Sequence, residues 1–271
     1  MRQGIMLCYP LEEKRLMKWS SFLCQPKLDG DRCRAVPTSN GYKLLTSEEN
    51  EVTSCWHLLE QLNEIPPELR MELDGELYNH NLPHNELHGI VSRHHPSALS
   101  TSVEYHVFDL IIENCRQSDR LIKILDILPF FGHDIKFVET YLIDTLSDVM
   151  KFFNKFIEKG FEGIIVRNSE GYYKRKRSTD IMKFKPTKSD WYEVIGWKEE
   201  ADKNGNGKNS LGSLLCRGDD GTIFSVGSGL TREQRISWWK DQDSLIGKMV
   251  KVQYQRQNKG TPIFPVFLEL V

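Results

Sequence analysis

The chain has no excess of charge of either sign. Its 36 Lys and Arg stand against 38 Asp and Glu, a net charge of −2 over 271 residues. It is therefore not a basic nucleic-acid coat, and any contact with DNA or RNA must come from a local basic face rather than from the total. No apolar run is long enough to span a bilayer. Met1–Pro10 lacks the hydrophobic stretch of a secretion signal, which argues against export. The six cysteines, at 8, 24, 33, 55, 115 and 216, form neither a CxxC pair nor a zinc-like spacing, so we expect reduced thiols in an intracellular protein. Repeats and low-complexity tracts are also lacking. What is there, 39% hydrophobic and 27% charged residues, suits a globular protein of one large or two ordinary domains.

The hydrophobic pattern divides near Pro186–Asp190. Before it, strands are predicted over 21–36, 42–47, 71–78, 103–112, 135–142, 163–167 and 181–185. Ser39-Asn40-Gly41 makes a hairpin turn, and helices are predicted over 56–65, 119–131 and 146–159. In the last helix Val149, Phe152, Phe153, Phe156 and Ile157 make one apolar face. Residues 79–102, which hold His80, His84, His88, His94 and His95, are expected to be a polar loop with a short helix rather than a metal site. After the division come short strands at 191–198, 211–217, 222–226, 248–255 and 263–270, with one helix over 231–240. Asn204–Lys208 is expected to be a mobile loop. Five strands and one helix in such a short stretch fit a small barrel of the OB type. The expectation is an α+β chain: a mixed, mostly antiparallel domain over 1–187 and an OB-fold barrel over 188–271.

The chemistry centres on Gln25-Pro26-Lys27-Leu28-Asp29-Gly30-Asp31-Arg32. A lysine amine becomes a covalent nucleophile when its surroundings depress its pKa. Asp29 would orient that amine or hold a metal, and Gly30 would let the backbone turn close to a phosphate. In isolation Lys-x-Asp-Gly is more simply a surface turn. The company it keeps is Glu72, Asp74 and Glu76 on one face of a strand, Phe108 beside Asp109, Glu162 at a strand start, and Lys183 with Lys185. Converging, these would hold Mg²⁺ on carboxylates, neutralise a phosphate and stack a base on Phe108. Each has a plainer alternative: Glu72 and Glu76 on a solvated edge, Phe108 in a core, Lys183 and Lys185 on an exposed face, and Lys174-Arg175-Lys176-Arg177 in a solvated loop.

The joint order of these segments resembles the covalent nucleotidyltransferases, and within them the small two-domain ATP-dependent DNA ligases of viruses and bacteria. The resemblance rests on Lys27-Leu28-Asp29-Gly30, Glu72–Leu77, Tyr105–Asp109, Phe161–Arg167 and Met182–Lys185, and in the second domain on Leu211–Leu215 and Gly227–Arg235. It implies an ATP-grasp-like nucleotidyltransferase domain followed by an OB fold. It also implies a three-step reaction. Lys27 takes AMP from ATP, AMP passes to the 5′-phosphate at a nick, and the 3′-hydroxyl displaces AMP. By the same resemblance Gln25 reads the adenine edge, Phe108 stacks on adenine, and Arg32 and Glu76 contact the sugar region or the nick. Lys183 and Lys185 grip the α-phosphate, and Asp29 assists the metal or the sealing step. Glu76 and Glu162 hold Mg²⁺, with Mn²⁺ as a substitute. Arg32, Lys174, Arg177, Lys203 and Lys208 meet DNA. The implied partner is nicked duplex DNA, encircled by a monomer with no membrane and no obligatory protein partner. The implied setting is bacterial or virus-infected cytoplasm, with the nucleus left open.

The chain departs from the family in places. Ser47-Glu48 stands where the family has Ser-Arg, and Ile263-Phe264-Pro265 where it has Arg-Phe-Pro. The sequence ends at Val271, before a further basic motif, so a slower first step or a substitute base such as Lys259 is expected. An RNA ligase, a capping guanylyltransferase and a non-catalytic nick-binding protein are the competing expectations.

Overall fold

A computed structural model describes residues 4–186, 188–202, 204–218, 220–254, 256–258, 261–263 and 265–271. The chain forms two compact units. One comprises Met1–Phe153 and Phe161–Lys183, the other Asn154–Gly160 and Phe184–Val271. Among the described residues no helix is long and apolar enough to cross a membrane.

The elements up to the end of the first unit are β1 (Leu7–Pro10), α1 (Glu13–Leu16), β2 (Phe22–Lys27), β3 (Asp31–Thr38), β4 (Gly41–Thr46), α2 (Trp56–Asn63), β5 (Leu73–Tyr78), α3 (His84–Val91), β6 (Glu104–Leu110), α4 (Gln117–Ile127), β7 (Ile135–Phe137), β8 (Tyr141–Ile143), α5 (Leu146–Glu158), β9 (Gly163–Asn168) and β10 (Arg177–Phe184). They build two five-stranded sheets, in the orders β4-β3-β5-β6-β7 and β1-β10-β9-β2-β8. The pairings β3–β4, β3–β5, β5–β6, β2–β8 and β2–β9 are antiparallel, and β1–β10 and β6–β7 are parallel. One core gathers Leu44, Leu73, Leu77, Val107 and Leu110 from the first sheet with Leu58, Leu62, Leu87, Ile90 and Ile124 from α2, α3 and α4. The helical 3.6 spacing of those apolar residues turns one face of each helix to the sheet.

Several boundaries differ from expectation. The strand predicted over 21–36 is two strands, because the chain leaves extended structure at Leu28-Asp29-Gly30. The backbone passes so close to β5 that a Cβ on Gly30 would lie 2.2 Å from the Leu77 carbonyl oxygen and 2.9 Å from Glu76 Cγ. The glycine thus serves a close approach to protein backbone. Pro26 is tolerated in β2 because β8 pairs only with Phe22, Leu23 and Cys24, leaving that edge unpaired beyond them. The strand predicted over 135–142 is likewise two, β7 and β8. In α5, Val149, Phe153 and Phe156 of the expected apolar face are buried, whereas Phe152 and Ile157 are half-buried.

The second unit contains β11 (Lys188–Ala201), β12 (Gly207–Arg217), β13 (Ile223–Val226), α6 (Arg232–Trp239), β14 (Met249–Tyr254), β15 (Arg256–Asn258), β16 (Thr261–Ile263) and β17 (Val266–Leu270). Five strands join in the order β13-β12-β11-β14-β17, and β15 pairs with β16. The ends of that sheet meet through one bridge, Ser228 with Val266, in an OB-type arrangement. Its core is Tyr192, Val194, Leu211, Leu214, Val226, Leu230, Val250, Val252 and Phe267. A capping box starts α6: Thr231 Oγ1 accepts from the Gln234 amide, and Gln234 Oε1 accepts from the Thr231 amide. Arg235 then donates to the carbonyls of Leu211, Gly212 and Gly227, which ties together the two second-domain segments singled out in the sequence. In the stretch expected to be a mobile loop, the Asp202 carboxylate accepts from the amides of Asn204 and Asn206, and β12 begins at Gly207.

Candidate functional site

The two sheets of the first unit enclose a cleft of about 810 Å³, its open mouth included, lined by Leu7, Cys8, Gln25, Lys27, Arg32, Glu76, Phe108, Ile165, Arg167, Arg177 and Lys183 among others. Strand alternation explains the convergence. On β2, Gln25 and Lys27 share a face, as do Ile165 and Arg167 on β9, and Ile181 and Lys183 on β10.

Lys27 ends β2, and its Nζ donates to Glu162 Oε2 and, at 3.4 Å, to the Leu28 carbonyl. The pair is mostly buried, with 20% and 17% of the side chains exposed. Glu162 stands just before β9, whose Gly163 is the β2 partner of Lys27. Arg32 makes a bidentate pair with Asp74, at 2.7 and 2.6 Å. Burial pulls the Arg32 pKa down, but Asp74, with smaller help from Tyr173 and Glu76, outweighs it, so the guanidinium stays firmly charged. Burial raises the Glu76 carboxyl to about 7, against the opposing pull of Arg32 and Lys27 and with the support of Asp74 and Asp31. Two guanidiniums approach the Phe108 ring, Arg32 at 4.6 Å and Arg167 at 5.1 Å from its centre.

Behind the cleft lies a buried polar network. Asp109 accepts from Arg120 Nε at 2.8 Å, Arg167 Nη1 at 2.9 Å and Gln117 Nε2 at 3.1 Å. Arg167 Nε donates to Gln25 Oε1 at 2.7 Å, while Gln25 Nε2 donates to the Phe108 carbonyl at 3.0 Å and to Thr140 Oγ1 at 2.9 Å. Burial lowers the Arg167 pKa, Asp109 partly restores it, and Arg32 lowers it further.

The cleft therefore brings together Gln25, Lys27, Arg32, Glu76, Phe108, Arg177 and Lys183, with Glu162 on Lys27. Asp29 is exposed and outside the lining. Lys185 belongs to the second unit, just past the end of β10. Of the basic run, Arg177 donates to the Cys8 carbonyl and lies over the Tyr9 ring. Lys174 is held by Asp180 at 2.6 Å, and Arg175 by Glu72 and Glu113. In the second unit Lys208 is paired with Glu200 at 2.8 Å. Lys203, Lys259 and Phe264 lie outside the described residues. Glu72 and Asp74 do not join Glu76 in the cleft: Glu72 holds Arg34 and Arg175, and Asp74 holds Arg32 and Tyr173. A register shift between Asp74 and Gly75 breaks the regular alternation there. Arg167 and Cys8 were not picked out in the sequence. Arg167 was legible as the third same-face residue of β9, counting from Gly163; nothing local marked Cys8.

A second cleft, about 1510 Å³ with its mouth, shares Lys27, Arg32 and Glu76 with the first. Its other walls include Asp31, Ser47, Glu48, Glu51, His84, His88, Arg93 and His94. Glu48, in the place of the expected arginine, accepts from the Ser47 hydroxyl at 2.7 Å.

A family model described as the ATP dependent DNA ligase domain matches residues 6–185, and one described as a DNA ligase OB-like domain matches residues 204–270. A DNA ligase of Haemophilus influenzae is 25% identical over 265 residues, covering 97% of this chain and 90% of that protein. A DNA ligase of African swine fever virus is 26% identical over 262 residues, and the match covers 61% of its length. In fold, the chain is similar to a solved chlorella virus DNA ligase-adenylate (TM-score 0.64, 23% identity, 100% of this chain and 99% of that one). It is also similar to the ATP-dependent DNA ligase of bacteriophage T7 in complex with ATP (TM-score 0.71, 13% identity, 98% of each chain). A nucleotidyltransferase domain with a lysine at the head of its cleft, followed by an OB domain, makes this chain a member of the ATP-dependent DNA ligase family.

Proposed function

We propose that Lys27 is the residue that carries AMP, and that the two clefts meeting at it receive the two substrates. The observation behind this is that Lys27, Arg32 and Glu76 line both clefts. In the first step Lys27 Nζ attacks the α-phosphorus of ATP, an N–P bond forms, the amine loses a proton, and pyrophosphate leaves. The Lys27–Glu162 contact must open for that attack. AMP then passes to the 5′-phosphate of a nick, and the 3′-hydroxyl displaces AMP to close the strand. Each step is an in-line displacement in which positioning and charge stabilisation do most of the catalysis.

Phe108 offers its ring to adenine, Gln25 and Arg167 form the floor beneath it, and Arg32 and Glu76 meet the sugar region. Lys183 and Lys185 neutralise the α-phosphate, and Asp29 serves the sealing step. Among the described residues no three His, Cys, Asp or Glu side chains converge as a metal cage. The carboxylates proposed here suit Mg²⁺ or Mn²⁺ bound through one or two of them, with substrate phosphates and water as the other ligands. Glu162 and Glu76 would hold the ion, which would offset charge on the phosphates. Arg177, Lys174, Lys203 and Lys208 contact DNA, gripped by a monomer whose two domains, 1–187 and 188–271, close around the duplex inside the cell.

The test is incubation with Mg²⁺ and α-labelled ATP or GTP, beside Lys27→Ala. Label on the denatured protein from ATP alone, absent from the variant and chased onto a nicked duplex, is expected. Label from GTP instead, or an unlabelled wild type whose intact mass also lacks AMP, would overturn the proposal.

A further inference from the structure

The second cleft holds a side-chain group that the nucleotide chemistry does not use. His84 and His88 stand one turn apart on α3, with their rings stacked at 6.0 Å and 17° between planes. Both face one carboxylate, Asp31: His88 Nδ1 lies 2.8 Å from Oδ2 and His84 Nε2 3.4 Å from Oδ1. Asp31 is mostly buried, whereas the rings are 45% and 61% exposed. Each ring keeps its second nitrogen, His84 Nδ1 and His88 Nε2, without a protein partner among the described residues. Next to His88, a Cβ on Gly89 would meet nothing within 4 Å, so packing does not call for the glycine, and the helix backbone there is bare.

The charges around the pair matter. The cleft carries Asp31, Glu48, Glu51 and Glu76 against Lys27, Arg32 and Arg93, so its balance turns on His84, His88 and His94. Glu86 is the other ionisable group on α3 itself. With neutral imidazoles this is a poor wall for a polyanion. With imidazoliums, each ring donates from both nitrogens, one to Asp31 and one outward.

We propose that Asp31, His84 and His88 form a phosphate-holding site for the polynucleotide strand on the α3 wall of this cleft. The inference rests on the function proposed above. Asp31 fixes the rings, and the outward nitrogens take the phosphate oxygens.

The experiment measures equilibrium binding of nicked duplexes bearing a 5′-phosphate or a 5′-hydroxyl at pH 6 and pH 8. It compares the wild type, the double variant His84→Gln/His88→Gln and the double variant His84→Lys/His88→Lys, each with a thermal melt. The wild type is expected to bind about tenfold more tightly at pH 6, through charge-assisted contacts to phosphate. The Gln pair should bind weakly at both pH values and the Lys pair tightly at both. A loss confined to the 5′-phosphate duplex would identify the terminal phosphate; an equal loss on both would identify an internal one. A folded Gln pair that follows the wild type at both pH values overturns the proposal. So does a Lys pair that melts like the wild type yet binds no better at pH 8. The Lys27 adduct, assayed on the wild type, reads the underlying function separately. With the adduct present and the pair without effect, this inference alone falls; with no adduct, both fall.

Discussion

The two units treat charge in opposite ways. In the first, Arg120, Asp109 and Arg167 are 1%, 0% and 3% exposed and sit behind the cleft. In the second, the ion pairs Arg232–Glu200, Lys208–Glu200 and Lys251–Glu269 involve side chains 25–58% exposed, over an apolar core. Burying ions costs several kcal/mol each unless every one is paired, so a buried network is weak evidence for stability and better evidence that a geometry is being held. The network holds Gln25 and Phe108 at the cleft. The second unit packs an apolar core and leaves these ion pairs at the surface.

The largest expected effect that would break this contrast is at Arg120. Arg120→Met leaves Asp109 with Arg167 and Gln117, and we expect a loss of about 3 kcal/mol, toward the lower end for a broken buried pair. A urea midpoint unchanged from the wild type would refute the network's structural weight.

Next is Glu76. Its folded-state value of about 7 lies above the ordinary 4.5, so protonation favours the folded state. The stability it contributes is full below pH 4.5 and is lost as pH rises through 7. Glu76→Gln cannot ionise, so it should match the wild type at pH 4 and exceed it at pH 8, by on the order of 1–3 kcal/mol. Denaturation curves at the two pH values that differ by the same amount would rule this out.

Smaller effects belong to the second unit. Thr231→Ala removes the cap of α6 and should cost about 1 kcal/mol, readable as a lower melting temperature. Arg232→Ala breaks an exposed pair with Glu200 and should cost less than about 1 kcal/mol, vanishing at high salt. A loss of several kcal/mol there would erase the distinction between the units.

Much of the fold was legible because strand and helix periods are local. The stripe of Val149, Phe153 and Phe156 and the alternation of Ile181 and Lys183 needed no partner to be seen. Lys27, Glu76, Phe108 and Lys183 were picked out by residue type, and the structure gathers them in one cleft. The break at Leu28–Gly30 was not legible, because it depends on how closely that loop passes β5. Nor was the basic run 174–177, where Asp180, Glu72 and Glu113 hold Lys174 and Arg175.

The sequence by itself determined the order of the motifs and most of the elements that carry them, both properties of residue type and short spacing. Only the tertiary structure decided which charges face which. Arg167 meets Gln25 across 142 residues and His88 meets Asp31 across 57. Such pairings follow from how sheets and helices pack, and the energy of a buried charge depends on neighbours that no local pattern names.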